Sequence, residues 1–147
     1  MTGSIRPGEK SVLVPPPGGA RLIFIGHLLT PWTQREDCPR QGRFDGPVCQ
    51  LVLDPLWAEA LTGIEAFPHL QLLYWMDQAR RDLVLLAPRS SGKLSGSFAL
   101  RAPTRPNPIA SSVVELVERQ GNVLLVRGLD CVSGTPLLDI KPHRGTV

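Results

Sequence analysis

No run of this chain approaches the roughly 20 consecutive apolar residues that a membrane-spanning helix requires. The richest stretches, Leu22 to Ile25 and Leu72 to Met76, are only of strand length. Lysine is scarce, with 3 Lys against 13 Arg, and the net charge is a mild +3. Such a balance permits a nucleic-acid partner without demanding one, while the arginine bias suits flat, bidentate anions such as carboxylate and phosphate. The 3 cysteines, Cys38, Cys49 and Cys131, form no CxxC pair. An odd count, with no apolar signal core in residues 1 to 20, reads as a reduced, cytoplasmic chain. His27, His69 and His143 lie far apart and HExxH is missing, so no metal is expected. GxGxxG, GxxxxGK[ST] and GxSxG are missing too, which removes the common dinucleotide, P-loop and serine-hydrolase signatures.

What is present describes a folded chain. Its 147 residues are 42% hydrophobic and 20% charged, enough for one ordinary core and unlike disorder. Residues 1 to 20 include Pro15-Pro16-Pro17-Gly18-Gly19 and read as a flexible tail, with the domain spanning 21 to 147. The 15 Pro and 14 Gly recur at short intervals and leave little room for long helices. Runs of strand length lie between them: Arg21 to Leu28, Val48 to Leu53, His69 to Met76, Ser95 to Leu100, Ile109 to Glu118 and Asn122 to Arg127. One short helix is marked by Asp54 as N-cap, Pro55 in the first turn and Gly63 at the end. At α-helical spacing, Leu56 and Ala60 face the core, with Trp57 the third candidate. The order predicts a mostly-β fold, a small barrel or sandwich with one or two short helices, and disfavours a doubly wound α/β sheet.

Three loops could carry chemistry. Phe98-Ala99-Leu100-Arg101-Ala102-Pro103-Thr104-Arg105-Pro106-Asn107-Pro108-Ile109 holds two arginines and no acid, and its three prolines stiffen it. Read alone, it is either a rigid connector whose arginines pair with nearby carboxylates or an anion-binding corner that loses little entropy on binding. Cys38-Pro39-Arg40-Gln41-Gly42 offers backbone donors and one cation, or is a solvated turn. Leu129 to Pro136 is a turn between two apolar strands, where Asp130 and Thr135 hold the turn or Asp130 binds ribose hydroxyls. Asp139 has Arg101 and Lys141 as possible structural partners. His69 and Tyr74-Trp75 read more readily as core than as base or stacking platform.

Taken together and in order, Ile25-Gly26-His27, Thr30-Pro31-Trp32, Pro39-Arg40-Gln41, Phe67-Pro68-His69-Leu70, Arg101, Arg105-Pro106-Asn107-Pro108-Ile109 and Gly134-Thr135-Pro136 with Leu138-Asp139-Ile140-Lys141-Pro142 form a specific pattern. It resembles the TrmO/YaeB (TsaA-like) family of S-adenosylmethionine-dependent tRNA N6-methyltransferases, from about Arg21 to Lys141. The resemblance implies a small closed β-barrel unlike the Rossmann-type methyltransferases, and a homodimer with S-adenosyl-L-methionine held near the subunit interface. It implies tRNA as partner and N6-threonylcarbamoyladenosine beside the anticodon as methyl acceptor. By similarity, the cofactor residues are Pro39, Arg40, Gln41, Asp77, Gln78, Arg101, Ser111, Leu129, Asp130, Ser133 and Gly134. Arg105 is placed toward the substrate carboxylate, and Asp139, Asp77 or His69 toward the departing proton. The chain departs from the family pattern at Ala102, Ala110, Ser133 and His143, and longer relatives carry a C-terminal extension. Another methyl acceptor, or a non-catalytic cofactor sensor, is the alternative reading.

Overall fold

A computed structural model describes residues 3–147. Its strands, in chain order, are β1 (Lys10–Ser11), β2 (Gly26–Leu29), β3 (Cys49–Leu53), β4 (His69–Trp75), β5 (Leu83–Leu86), β6 (Ser95–Gly96), β7 (Ile109–Gln120), β8 (Val123–Arg127) and β9 (Thr135–Pro142). Two compact units share them. One comprises Leu22–Trp75 with Ala110–Val147, and the other the chain up to Arg21 with Met76–Ile109.

The first unit is a closed barrel in the order β2-β3-β8-β7-β4-β9; a closed barrel is what the family resemblance implies. Closure leaves no sheet edge, which suits strands this short. The alternation of β4 and β8 drives it: Leu70, Leu72 and Tyr74 on one, Leu124 and Val126 on the other, are almost wholly buried. Leu28, Leu51, Leu53, Val114 and Leu137 complete the interior. Each such Leu contributes about 1.5–3 kcal/mol by leaving water. The two prolines of β9 sit near its start and at its end, opposite His27 and Leu70, where a missing donor costs least. Between Leu73↔Asp139 and Tyr74↔Leu137 the register slips, so Leu138 is the extra residue of a bulge.

Two expectations for this unit change. Of Arg21 to Leu28 only the end enters the sheet, where Gly26 pairs with both Leu53 and Leu137. Leu22, Ile23 and Phe24 are exposed. A β-prone run becomes strand only where neighbours supply the ladder. The marked helix forms over Pro55–Leu61 with the Asp54 carboxylate accepting from the Leu56 amide at 3.0 Å, but it is a 3-10 helix. At 3.0 residues per turn its buried face differs from that of an α-helix. Leu61 is buried, whereas Leu56 is 77% exposed and Ala60 is exposed.

The second unit holds a three-stranded sheet, β1-β5-β6. Ser95 to Leu100 contributes only the two residues of β6 before a 3-10 turn over Ser97–Ala99. Lys10 pairs with Leu85, and the Val12 amide donates to the Asp82 carbonyl at 2.7 Å. Glu9 fastens this segment: its carboxylate accepts from the Ala87 and Arg6 amides, each at 2.8 Å. Those amides, Ala87 first, hold the Glu9 carboxyl below its usual range. A depressed folded value means that the stabilisation is present above the ordinary carboxylate pKa and is lost as pH falls through the lowered one. Glu9→Ala is therefore expected to speed hydrogen exchange of the Ala87 amide at neutral pH on the order of tenfold. An unchanged exchange rate, followed by NMR, would remove this anchor.

Candidate functional site

The turn after β8 gathers several of the residues singled out by sequence. Gly128 has φ +117, a region that favours glycine, and turns the chain into buried Leu129 and half-buried Asp130. Beyond it, the Ser133 amide donates to the Trp32 carbonyl at 2.7 Å and the Gly134 amide to the Leu28 carbonyl at 2.7 Å. The Ser133 hydroxyl accepts from the Thr30 amide at 3.1 Å, and the Thr30 hydroxyl donates to the Cys131 carbonyl at 2.7 Å. Thr135 closes the turn locally by donating to the Val132 carbonyl at 2.6 Å. Residues 129–134 are thus fixed to the 28–32 segment by backbone geometry as much as by side chains.

The Pro39-Arg40-Gln41 loop is seated on the same turn. A Cβ at Gly42 would stand 1.7 Å from the Gly128 carbonyl oxygen and 3.0 Å from the Leu129 nitrogen. Only a residue without a side chain lets the two backbones meet so closely. Arg40 and Gln41 are exposed and Pro39 is half-buried. Cys38 lies within the electrostatic reach of Asp130.

Asp130 is tied into the barrel interior. Its Oδ1 accepts from the Tyr74 hydroxyl at 2.7 Å, and the Tyr74 oxygen lies 2.6 Å from the Ser112 hydroxyl. None of the ion pairs among the described residues involves Asp130. Burial raises its pKa, and the Tyr74 hydrogen bond opposes that rise. Burial also raises the Tyr74 phenol and pushes the Cys131 thiol up to about 12. Cys38 and Cys49 are raised by burial as well. The three thiols therefore stay protonated at neutral pH and supply no nucleophile.

Ser111 does not share this network. Neighbouring strand residues point to opposite faces. The Ser111 hydroxyl accepts from Gln71 at 3.0 Å, whereas Ser112 reaches the buried tyrosine. Asp139 stands at the β9 bulge, its Oδ1 accepting from the Ile140 amide at 2.9 Å and its Oδ2 paired with Lys141 at 2.8 Å. Of the two structural partners considered for Asp139, Lys141 is the one it takes. His69 is half-buried, its ring 5.1 Å from that of Phe44.

Asp77, Gln78, Arg101 and Arg105 belong to the other unit. The first three are exposed. Arg105 braces its own loop: Nη1 donates to the Leu100 carbonyl at 2.6 Å and the Ala102 carbonyl at 3.2 Å, and the guanidinium lies 5.8 Å from the Phe98 ring centroid. Its Nε and Nη2 make no hydrogen bond with a described residue. That is the edge with which Arg80 grips Asp82, at 2.8 and 2.9 Å.

Sequence reasoning missed Tyr74 and Ser112 as site residues. A signal existed: Tyr74 is the only tyrosine, on the apolar phase of a strand, and a buried phenol needs a partner. No group of three metal-ligating side chains forms among the described residues, and no helix there is long and apolar enough to cross a membrane.

Comparison with known proteins bears on this geometry. The model of the tRNA-methyltransferase O N-terminal domain matches residues 27–147. A Rhizobium radiobacter protein named "Probable S-adenosyl-L-methionine-binding protein VirR" is 51% identical over 140 residues, covering 95% of this chain and 80% of that protein. A "Probable S-adenosyl-L-methionine-binding protein" of Archaeoglobus fulgidus is 43% identical over 127 residues, covering 86% of this chain and 35% of that one. The crystal structure of TrmO from Pseudomonas aeruginosa superposes with a TM-score of 0.70 at 35% identity, over 86% of this chain and 57% of that one. The chain thus spans little more than half of that solved protein and about a third of the archaeal relative. With barrel topology, motif order and family model in agreement, the chain belongs to the tRNA-methyltransferase O family.

Proposed function

We propose that this protein binds S-adenosyl-L-methionine and transfers its methyl group to N6 of threonylcarbamoyladenosine beside the anticodon of tRNA, acting as a cytoplasmic homodimer. The observation that carries the reading is the meeting of the Pro39–Gln41 loop with the Leu129–Asp130 turn, through Gly42 and Gly128, beside a half-buried carboxylate that forms no ion pair among the described residues. The donor set suits the cofactor. Asp130 accepts well from a ribose diol, Ser133 and Gly134 frame its turn, and Arg40 and Arg101 are exposed guanidinium groups suited to a carboxylate. Family membership and the names of the relatives support the same cofactor.

The bound cofactor supplies an electrophilic methyl on sulfur. The chain's task is orientation, which can lower a barrier by about 7–11 kcal/mol. The acceptor base carries a carboxylate of its own on the threonyl group. Arg105 is proposed to grip it with the Nε and Nη2 edge, while Nη1 keeps the loop in shape. Ser111 and, in the other unit, Asp77 and Gln78 are proposed as cofactor residues from the family resemblance alone.

The N6 proton must leave as the methyl arrives, and the adjoining carbamoyl carbonyl already acidifies it. Asp139 is the proposed acceptor, oriented by Lys141. Asp139→Asn is expected to lower turnover on tRNA by about 100-fold, within the range of general-base effects, with cofactor affinity kept. Equal turnover in steady-state assays would assign the proton to solvent.

Mass spectrometry of nucleosides from tRNA incubated with the protein and S-adenosylmethionine tests the whole reading. A gain of one methyl on threonylcarbamoyladenosine is expected. Cofactor binding without that gain would leave a methyltransferase with another acceptor, or a sensor.

A further inference from the structure

The Tyr74 hydroxyl stands in a leucine-rich interior, opposite Leu137 in the β4–β9 ladder and almost fully buried. Phenylalanine would fill that space without the cost of burying a phenolic oxygen. The polar atom is fully used: one contact to Ser112 at 2.6 Å and one to Asp130 at 2.7 Å. A phenol has one proton, and here Tyr74 donates it to Asp130. Ser112 must then donate to Tyr74. The result is a chain of donors running from β7 through β4 to the turn after β8, polarised toward a single carboxylate oxygen.

We infer that Tyr74, backed by Ser112, is a positioning residue for Asp130, fixing one carboxylate oxygen so that the other is presented to paired hydroxyl donors of a bound ribose. This rests on the cofactor reading above and adds residues outside the motifs that support it. The titratable groups around Asp130 are Tyr74 from β4, Cys131 from its own turn and Cys38 from the 38–42 loop, all neutral at pH 7. No cation competes. Burial opposes the ionisation of Asp130, while the Tyr74 hydroxyl first and then the residue's own backbone hydrogen bond favour it. Losing the phenolic hydroxyl therefore lets Asp130 take up a proton at higher pH than in the wild type.

The test titrates the full-length protein calorimetrically with S-adenosylhomocysteine and with its 2′-deoxy analogue across pH 5 to 8. The wild type is expected to bind and to prefer the intact ribose. Tyr74→Phe, with its thermal unfolding checked, should bind about tenfold more weakly at pH 7, lose the ribose preference and show its acid limb at higher pH. Ser112→Ala, which keeps the tyrosine, should move all three readouts the same way and decides the matter if Tyr74→Phe does not fold. A merely structural role would leave the ribose preference and the pH limb in place, and that result would overturn the proposal. A wild type that fails to bind would overturn the cofactor reading and this inference with it. Binding by the wild type, with unchanged variants, would overturn the inference alone.

Discussion

Gly42→Ala is expected to cost on the order of 100-fold in turnover, the scale of a displacement of about 1 Å in a positioned site. The added methyl would stand 1.7 Å from the Gly128 carbonyl oxygen, so one of the two backbones must move. Gly128 precedes buried Leu129 and follows β8, whereas Arg40 and Gln41 are exposed. The 39–42 loop is the softer partner and will lift from the turn. Core residues such as Leu124 and Val126 are untouched, so the thermal midpoint should change little. Calorimetry with S-adenosylmethionine should show weaker binding alongside the slower turnover. Full affinity in a folded Gly42→Ala protein would mean that the loop has no part in holding the cofactor.

Arg105→Lys removes two things at once. A lysine ammonium cannot offer a planar Nε and Nη2 edge to a carboxylate while a third nitrogen braces the Leu100 and Ala102 carbonyls. A charge-assisted contact of about 1.5–3 kcal/mol corresponds to a loss on the order of tenfold to 100-fold in kcat/KM for tRNA. Affinity for S-adenosylmethionine should stay within about twofold, an RT-sized change. A parallel loss of cofactor affinity would move Arg105 to the cofactor's own carboxylate. Undiminished tRNA turnover would return the loop to its other reading, a rigid connector.

The barrel was largely legible in the chain. Period-two burial in His69–Trp75 and Val123–Arg127 follows from which residues must leave water, and it is Leu70, Leu72 and Tyr74 on the one and Leu124 and Val126 on the other that turn inward. Asp54 and Pro55 mark a helix start for equally local reasons. The type of helix was not legible, because one turn of 3-10 and one of α share the same capping signals. The choice decided whether Leu56 or Leu61 turns inward. The extent of β2 was not legible either, since Leu22 to Phe24 have strand propensity but no ladder.

At the site, the order of motifs along the chain placed it in its family, because those short strings are local. The resemblance also accounts for the missing glycine fingerprint of the Rossmann-type methyltransferases, since a barrel has no strand-to-helix phosphate turn. Only the folded chain decided that Gly42 rests on Gly128, that Ser112 rather than Ser111 reaches Tyr74, and that Asp130 accepts the hydrogen bond of the Tyr74 hydroxyl. These are contacts between segments distant along the chain. The Ser112–Tyr74 contact depends on strand register, and a shift of one residue would turn either side chain to the opposite face.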